Sequence, residues 1–350
     1  MPSTLPPAEA LRSALAGLLD GLPPTQAARA VDRLISSYRG TTPTDAPVLR
    51  DRSDVAAYAA YRMPATFEAV RSALAALRDA APAWVPATHT DIGGGTGAAS
   101  WAVAEAWEGE TPTGDGDGGG DGEGPRTTVL DWAEPALALG RELAMASGVP
   151  GLTTARWERS RISASLRIES TDLVTVSYVL KELTEGDRAA VVTEAARAAL
   201  GAVLIVEPGT PDGYRRVIEA RERLIAAGMT VAAPCPHSAD CPIVPGSDWC
   251  HFAARVSRSS LHRQVKGGSL PYEDEKFSYV AATRFPPAPA PARVTRRPQI
   301  RKGLVQLDLC AADGSLGREN VTKRQGPLYK AARDAEWGDP WPPPPAPPRG

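Results

Sequence analysis

Between residues 88 and 210 the chain alternates regularly between strand-like and helix-like segments. Short apolar runs such as "DLVTVSYVL" and "GAVLIVEPG" are separated by stretches with helical spacing, such as "DRAAVVTEAARAAL". Strands that alternate with helices pair as parallel neighbours, because each helix carries the chain back along the sheet before the next strand begins. The pattern therefore predicts an α/β fold with a Rossmann-like, doubly wound sheet.

The flanking segments divide the chain of 350 residues into four predicted parts. Apolar residues at three- and four-residue spacing predict helices from residue 8 to residue 80, with a break or a kink at Pro64. A glycine- and aspartate-rich run at 111–126 has no large apolar residue and predicts a disordered insertion. The four parts are an N-terminal helical region (1–84), a Rossmann-like core (85–230), a region that carries the cysteines and completes the sheet (231–335), and a disordered proline-rich tail (336–350).

The core begins with a strand that ends in a glycine-rich loop, "DIGGGTGAA", which contains Gly93, Gly95 and Gly97. Glycines let the backbone turn sharply from strand to helix, and they let a ligand approach without a Cβ in the way. With Ala98 the loop satisfies the loose dinucleotide-binding pattern, while with Asp91 before it the loop resembles the S-adenosylmethionine loop of class I methyltransferases. A carboxylate can attract the ammonium group of S-adenosylmethionine but repels a pyrophosphate, so Asp91 favours the second interpretation.

Asp131 ends the next predicted strand, "TTVLDWA", where a carboxylate can accept hydrogen bonds from both ribose hydroxyls of a cofactor. It lies further beyond Asp91 than is usual, and the insertion at 111–126 accounts for the excess spacing. The alternative role is a helix N-cap before Pro135. The fourth-strand segment, "VSYVLKELTE", offers Ser177 and Tyr178 but no motif of the N/D-P-P-Y type, so the sequence assigns no catalytic base.

The four cysteines form a cluster late in the chain, and three of them belong to one short segment, "PCPHSADCPIVPGSDWC". They are Cys235, Cys241, Cys250 and Cys310. Four thiolates can hold either a zinc ion or an iron–sulfur cluster. The close C-x2-C pairs of structural zinc sites are absent, yet His237 and His251 could replace thiolates in a zinc site. Four unrelated buried cysteines are the remaining alternative.

The start of the chain predicts a cytoplasmic protein. Its opening segment, "MPSTLPPAEALRSALAGLLDG", includes acidic side chains and no basic segment followed by an apolar run, and no long uncharged apolar stretch occurs anywhere in the chain. In the cytosol thiols stay reduced, so clustered cysteines favour metal binding over disulfides. The net charge of −2 identifies no partner.

A basic region surrounds Cys310. Residues 251–333 contain 16 Lys or Arg and 6 Asp or Glu, while the first half of the chain is balanced or acidic. Such asymmetry is typical of surfaces that bind RNA phosphates, although an ordinary solvated face gives the same pattern. Pro298 interrupts the first basic run, which predicts an extended segment that contacts phosphates and reads little sequence. The candidate RNA-binding residues are Arg293, Arg296, Arg297, Arg301, Lys302, Lys323 and Arg324.

Five segments are characteristic when taken together: "AAYRMPATFEAV", "DIGGGTGAASWA", "LIVEPGTPDGYRRVIEARERL", "PCPHSADCPIVPGSDWCHF" and "RKGLVQLDLC". They resemble the Rsm-twenty-two family, the methyltransferase-like proteins of the mitochondrial small ribosomal subunit and their bacterial members. The resemblance covers about residues 30–338, and the cysteine segment is its most specific part. It implies a class I S-adenosylmethionine-dependent methyltransferase fold with a C-terminal four-cysteine metal-cluster region. It also implies that the four cysteines hold a 4Fe-4S cluster, and that the protein works in assembly or translation on the small ribosomal subunit.

Three functions remain open from the sequence. The first is a methyltransferase-like protein that binds 16S-type rRNA of the small ribosomal subunit and could transfer methyl groups from S-adenosylmethionine to it. The second is a non-catalytic assembly factor that retains the fold. The third is a small-molecule methyltransferase with a structural zinc site, against which the basic region argues. We expect no membrane partner, and a monomer away from the ribosome.

Overall fold

The computed structural model describes residues 5–19, 52–113, 124–258 and 270–343. The helix predicted at 25–39 and residues 114–123 of the predicted insertion lie outside the described residues. The helices are α1 (Pro7–Leu19), α2 (Arg52–Ala80), α3 (Ala98–Ala106), α4 (Glu134–Ser147), α5 (Pro150–Thr153), α6 (Glu185–Ala198), α7 (Pro211–Ala226) and α8 (Pro327–Asp334). The strands are β1 (Thr88–Ile92), β2 (Arg126–Asp131), β3 (Arg156–Arg159), β4 (Thr171–Ser177), β5 (Ala199–Pro208), β6 (Thr230–Ala233), β7 (Phe252–Ser257), β8 (Tyr272–Thr283), β9 (Ala292–Val294), β10 (Gln299–Arg301), β11 (Leu304–Ala311), β12 (Leu316–Thr322) and β13 (Pro340–Trp341).

The main sheet has the strand order β3–β2–β1–β4–β5–β8–β6, and β7 pairs with β8. The first five strands are parallel, while β8 runs antiparallel to both β5 and β6. One antiparallel strand inserted next to the last strand of a doubly wound sheet is the topology of class I methyltransferases, so the predicted Rossmann-like methyltransferase core is confirmed. The strand order reverses between β1 and β4, and ligands bind at such a point, beyond the carboxyl ends of the strands.

A second, smaller sheet follows, in the order β10–β11–β9–β13, with β12 paired to β11. The predicted third part of the chain is therefore divided, because β6, β7 and β8 join the main sheet and the later strands form their own. The small sheet has a separate apolar core that includes Val305, Leu307 and Trp341. Trp341 corrects the prediction of a wholly disordered tail: its strand pairs with β9, and its indole fills this core and donates to Glu319. Residues 344–350 lie outside the described residues.

Helix α2 packs across one face of the main sheet and runs through Pro64. Of the predicted break or kink, a break is excluded, because one helix includes the residues on both sides of the proline. A proline removes one hydrogen bond of the helix, but Met63, Phe67, Val70 and Leu74 are buried on both sides of it, and their packing holds the helix in place. Neither α2 nor any other described helix is long and apolar enough to cross a membrane.

Candidate functional site

The loop between β1 and α3 lines a cavity at the point where the strand order reverses. Gly93, Gly95 and Gly97 all have positive φ angles, of 69°, 55° and 84°, which other residues rarely adopt. Gly93 and Gly95 line the cavity, whereas Gly97 does not. A Cβ on Gly97 would lie 2.6 Å from the ring of Trp157. Two of the three predicted glycines thus face the cavity, and the third is required for packing behind it.

Asp131 lies beside this loop although the insertion separates it from Asp91 in the chain. The parallel pairing of β1 with β2 brings the two strand ends together. One carboxylate oxygen of Asp131 accepts the N–H of Gly95 at 2.9 Å, and the other accepts the N–H of Ala133 at 2.8 Å. Burial raises the pKa of this carboxyl, which these backbone bonds oppose. Asp131 therefore ties the loop to β2 and lines the cavity, and its contact with a ribose stays a prediction.

Asp91 departs from its predicted role. Its side chain is fully buried behind the loop and does not line the cavity. It accepts hydrogen bonds from Thr175 at 2.8 Å and from Ser100 at 3.1 Å, and burial raises its pKa to about 6. The expected direct attraction of a cofactor ammonium group by Asp91 does not fit this geometry. The carboxylate instead joins β1, β4 and α3 beneath the loop.

The carboxyl end of β4, next to the glycine loop, also lines the cavity. Tyr178 follows the strand with a positive φ of 59°, and its hydroxyl donates to Glu275 at 3.2 Å. Arg62 of α2 pairs with the same carboxylate at 3.2 Å and lies 5.6 Å from the centre of the tyrosine ring. Sequence analysis missed Arg62 and Glu275, because they come from distant segments and belong to no local motif. Met63, next to Arg62, also lines the cavity.

Glu182 is a second acidic group in the cavity wall that sequence analysis missed. Loss of hydration, together with the nearby charges of Asp131 and Glu207, raises the pKa of its carboxyl to about 7. The turn that carries Glu182 is anchored, because Leu180 donates its N–H to Glu207 at 3.0 Å and Arg216 donates to that buried carboxylate at 2.7 Å. The signal in the sequence was an acid shortly past the end of a parallel strand. A carboxyl with a pKa near neutrality suits proton transfer.

A second cavity is lined by all four cysteines. Cys235 and Cys241 lie in the loop after β6, Cys250 lies just before β7, and Cys310 lies on β11 of the small sheet. The Tyr214 hydroxyl is 3.2 Å from the Cys241 sulfur. The structure thus brings together side chains that are distant in the sequence and belong to both sheets.

Three of the four thiols resist ionisation because they are buried. Burial raises the pKa of Cys235 and Cys250, and raises that of Cys310 to about 12. The charge of Cys241 also contributes to the raised pKa of each of these three thiols. Cysteine binds a metal as the thiolate, so metal binding at such a site displaces protons.

Two buried arginines also line the cysteine cavity. Arg221 donates to the carbonyls of His237 and Ala239 at 3.0 and 2.6 Å, and Arg293 donates to those of Pro234 and Gly338 at 3.1 and 2.9 Å. Neither guanidinium forms an ion pair with any carboxylate among the described residues. Buried charges require compensation, and four thiolates would supply it.

Sequence analysis missed Arg221 as part of this site. It occupies the buried face of α7 between Val217 and Leu224, so a charged residue at a core position was the available signal.

The donor set does not meet the needs of a single metal ion. Across the described ranges, no three Cys, His, Asp or Glu side chains converge closely enough to bind one ion. His237 lies 3.4 Å from the Cys310 sulfur through its Nε2 atom. His251 does not line the cavity; its ring is stacked on Trp249 and meets Trp337 edge-on. The four sulfur atoms therefore surround a shared space without meeting at a point.

The candidate RNA-binding residues lie in different environments in the structure, and not on one surface. Arg293 is buried beside the cysteines, which corrects its assignment to an RNA surface, because a guanidinium bonded to two internal carbonyls cannot reach a phosphate. Arg296 pairs with Asp248 in the cysteine loop, while Arg297 is exposed. The other four residues are exposed and form what we call the basic corner, which consists of Arg301, Lys302, Lys323 and Arg324.

The basic corner unites two segments that are separate in the sequence. Arg301 pairs across the sheet with Leu304, which pairs with Thr322. The N–H of Lys323 donates to the carbonyl of Gly303 at 3.0 Å. The turn at 302–303 and the turn at 323–325 therefore lie side by side, and none of the four cations forms an ion pair with a described carboxylate.

The chain matches a family model described as mitochondrial small ribosomal subunit Rsm22 over residues 52–342. It is similar to the human ribosome assembly protein METTL17, mitochondrial, at 29% identity over 297 residues, which cover 81% of this chain and 61% of that protein. It is also similar to Rsm22-cox11 tandem protein 2, mitochondrial, of Schizosaccharomyces pombe, at 27% identity over 41% of this chain and 24% of that protein. The chain thus spans less than two thirds of the length of either relative.

Among solved structures, the chain aligns with magnesium protoporphyrin IX methyltransferase from Synechocystis with bound S-adenosylmethionine. The TM-score is 0.40 at 15% identity, and the alignment covers 63% of this chain and 80% of that one. A putative RNA methyltransferase from Pyrococcus horikoshii aligns with a TM-score of 0.37 at 12% identity, over 61% and 83% of the two chains. The fold assignment rests on the strand order and not on these alignments.

The predicted cytoplasmic location is contradicted, because the family model and both relatives are mitochondrial by name. The prediction relied on the composition of the opening segment and on the absence of long apolar stretches. Neither property reports the compartment in which a folded domain works. The family match covers most of the sequence and includes both sheets, the glycine loop and all four cysteines. The chain therefore belongs to the Rsm22 family of the mitochondrial small ribosomal subunit.

Proposed function

We propose that this protein acts in assembly of the small ribosomal subunit, where it binds rRNA and carries S-adenosylmethionine and a 4Fe-4S cluster. One observation supports this proposal more than any other: all four cysteines of the chain line one cavity, together with two buried arginines that lack a carboxylate partner among the described residues. The family relationship supports a ribosomal role, and the names of the family and of the human relative favour mitochondrial ribosomes.

The cysteine cavity suits a cluster better than a zinc ion. Each thiolate of a four-iron cluster binds a different iron atom, so the four sulfur atoms surround a body and need not meet at a point. Cys235, Cys241, Cys250 and Cys310 would hold the cluster, whose thiolate ligation carries net negative charge. Arg221 and Arg293 would offset this charge. The cluster would also fix the small sheet, through Cys310, against the main sheet, through the other three cysteines.

S-adenosylmethionine is the proposed ligand of the cavity at the glycine loop. Asp131 and Glu182 are acidic, and the cofactor carries a sulfonium and an ammonium group. Asp131→Ala removes the acceptor proposed for the ribose and also releases the loop N–H of Gly95. We expect the free energy of S-adenosylmethionine binding to become less favourable by about 1–3 kcal/mol, the scale of leaving such polar groups unpaired.

Calorimetry on the folded protein measures this loss, and Asp212→Asn, an exposed carboxylate on α7, is the control. Absence of binding by the wild type at millimolar cofactor would contradict the cofactor proposal. If Asp131→Ala binds the cofactor as tightly as the wild type, the ribose contact would be assigned to Glu134, at the start of α4, instead.

A non-catalytic role is the second candidate, and the geometry of Tyr178 favours it. Its hydroxyl donates to Glu275, which also pairs with Arg62, and α2 covers this end of the cavity. An rRNA base would have to displace this network to enter the cavity at this end. Incubation of small-subunit rRNA with methyl-labelled cofactor distinguishes the two roles, since label in the RNA requires catalysis.

The basic corner is the proposed contact with RNA phosphates. Each neutralised phosphate of a single strand contributes about 0.7 to the slope of log affinity against log salt. Replacement of all four residues of the basic corner with Ala should therefore flatten this slope by about three units. Fluorescence anisotropy with a small-subunit rRNA fragment at several salt concentrations measures the slope. The control replaces Arg215 and Arg223, two exposed cations on α7. Equal slopes for the wild type and the basic-corner variant would contradict this assignment.

A further inference from the structure

The small sheet has one face that its own core does not cover. Along β11 the side chains alternate, so that Val305, Leu307 and Leu309 point into the apolar core. Leu304, Gln306 and Asp308 therefore lie on the opposite face. We call this surface, across β10, β11 and β12, the outer face.

Amide side chains occupy the middle of the outer face. Gln299 on β10 pairs with Gln306 on β11, and Gln306 pairs with Asn320 on β12. The Gln306 amide donates to the Asn320 carbonyl oxygen at 2.9 Å. Gln299 and Asn320 are exposed, and Gln306 between them is half-buried. Neighbouring strands are about 4.8 Å apart, so the three amides form a row roughly 10 Å long across the sheet.

The charges on the outer face leave this row neutral. Asp308 accepts two hydrogen bonds from Arg318, at 2.8 and 3.1 Å, so that these two opposite charges compensate each other. The basic corner lies at one end of the strands, and its cations form no ion pair with a described carboxylate. The surface therefore combines a neutral row of hydrogen-bonding groups with a cationic edge.

This combination matches single-stranded RNA. A primary amide presents a donor and an acceptor side by side, which is the pattern that Asn and Gln use to bind adenine. Cations at the edge match the phosphates that flank such bases. An RNA duplex fits poorly, because the bases of the A form lie in a deep, narrow major groove that side chains on a flat sheet cannot reach.

We infer that the row of Gln299, Gln306 and Asn320 reads unpaired adenine bases of an RNA strand whose phosphates contact the basic corner. This inference rests on the proposed RNA-binding function and extends it from phosphate contact to base recognition. It also departs from the prediction that the basic segments read little sequence. Cys310 lies on the same side of β11 as Gln306, further along the strand, so the cysteine site supports the strand that carries the central amide.

The test uses fluorescence anisotropy with three single-stranded RNA oligomers of equal length, of adenine, cytosine and uracil. We expect the wild type to prefer the adenine strand about tenfold, within the range for one bidentate contact to a base. A triple variant, Gln299→Ala, Gln306→Ala and Asn320→Ala, should lose this preference to within about twofold and keep the salt slope of the wild type. The basic-corner variant should weaken binding of all three strands alike and keep the preference.

Each outcome bears on the inference. If the wild type binds the three strands equally and shows the expected salt slope, the proposed recognition of adenine is wrong, although the protein still binds RNA. An adenine preference that persists in the triple variant would place recognition elsewhere. No binding of any strand, or of a small-subunit rRNA fragment, at low salt would refute the proposed RNA-binding function itself. Circular dichroism checks that the triple variant folds, since surface amide replacements cost little stability.

Discussion

Cys310→Ser should abolish iron binding as completely as Cys241→Ser does, although Cys310 lies on the small sheet and far beyond the other cysteines in the sequence. The reason is that each thiolate would bind its own iron atom, and a serine hydroxyl does not ionise near neutral pH. Both variants should be colourless after anaerobic purification, and the wild type should be brown. Absorption spectra and iron assays on equal amounts of folded protein measure the difference.

His237→Gln and His251→Gln are the matched controls for this prediction. His237 touches the Cys310 sulfur, and His251 is held in an aromatic stack next to Cys250. In the cluster account neither imidazole is a ligand, so both variants should retain most of their iron. Iron retained in Cys310→Ser but lost in one of the histidine variants would contradict the four-cysteine ligand set.

Arg293→Ala should destabilise the protein by about 3 kcal/mol or more, the scale of removing one partner from a buried charged group. The change leaves the carbonyls of Pro234 and Gly338 without their donor, and it removes a cation that offsets the thiolates. Arg297→Ala is the control, because Arg297 lies nearby in the same basic run, is exposed, and should alter stability by less than about 0.5 kcal/mol.

Urea unfolding followed by circular dichroism gives the free energies of the wild type and both arginine variants. The iron content of Arg293→Ala should fall in parallel with its stability, while Arg297→Ala should match the wild type in both measurements. Equal stability of the two variants would show that Arg293 is not a structural part of the cysteine site.

The central sheet and the glycine loop could be predicted because their signals are local. Parallel strands buried on both faces produce short β-branched runs, and the turn into α3 needs glycines with positive φ. β3 was missed because its sequence, "RWER", is mostly exposed and charged, with only Trp157 buried. β9, β10 and β13 are too short to establish a period of two. Their pairing depends on tertiary contacts within the small sheet.

In the candidate site, too, positions fixed by local sequence could be predicted, and positions fixed by tertiary contacts could not. The position of Asp131 followed from the end of a predicted strand, and the structure places it beside the loop. Asp91 satisfied the same sequence pattern, yet Ser100 and Thr175 hold it behind the loop. Arg293 resembled its basic neighbours in the sequence, but its strand places it beside Cys310, its cross-strand partner. Burial, which decides whether a cation meets solvent or a thiolate, is a property of the fold.

Anaerobic purification of the wild-type protein, with iron, acid-labile sulfide and zinc measured on the same sample, tests the central claim most directly. The account predicts about four iron atoms and about four sulfide ions per chain, with no stoichiometric zinc. One tightly bound zinc ion per chain and no sulfide would contradict it.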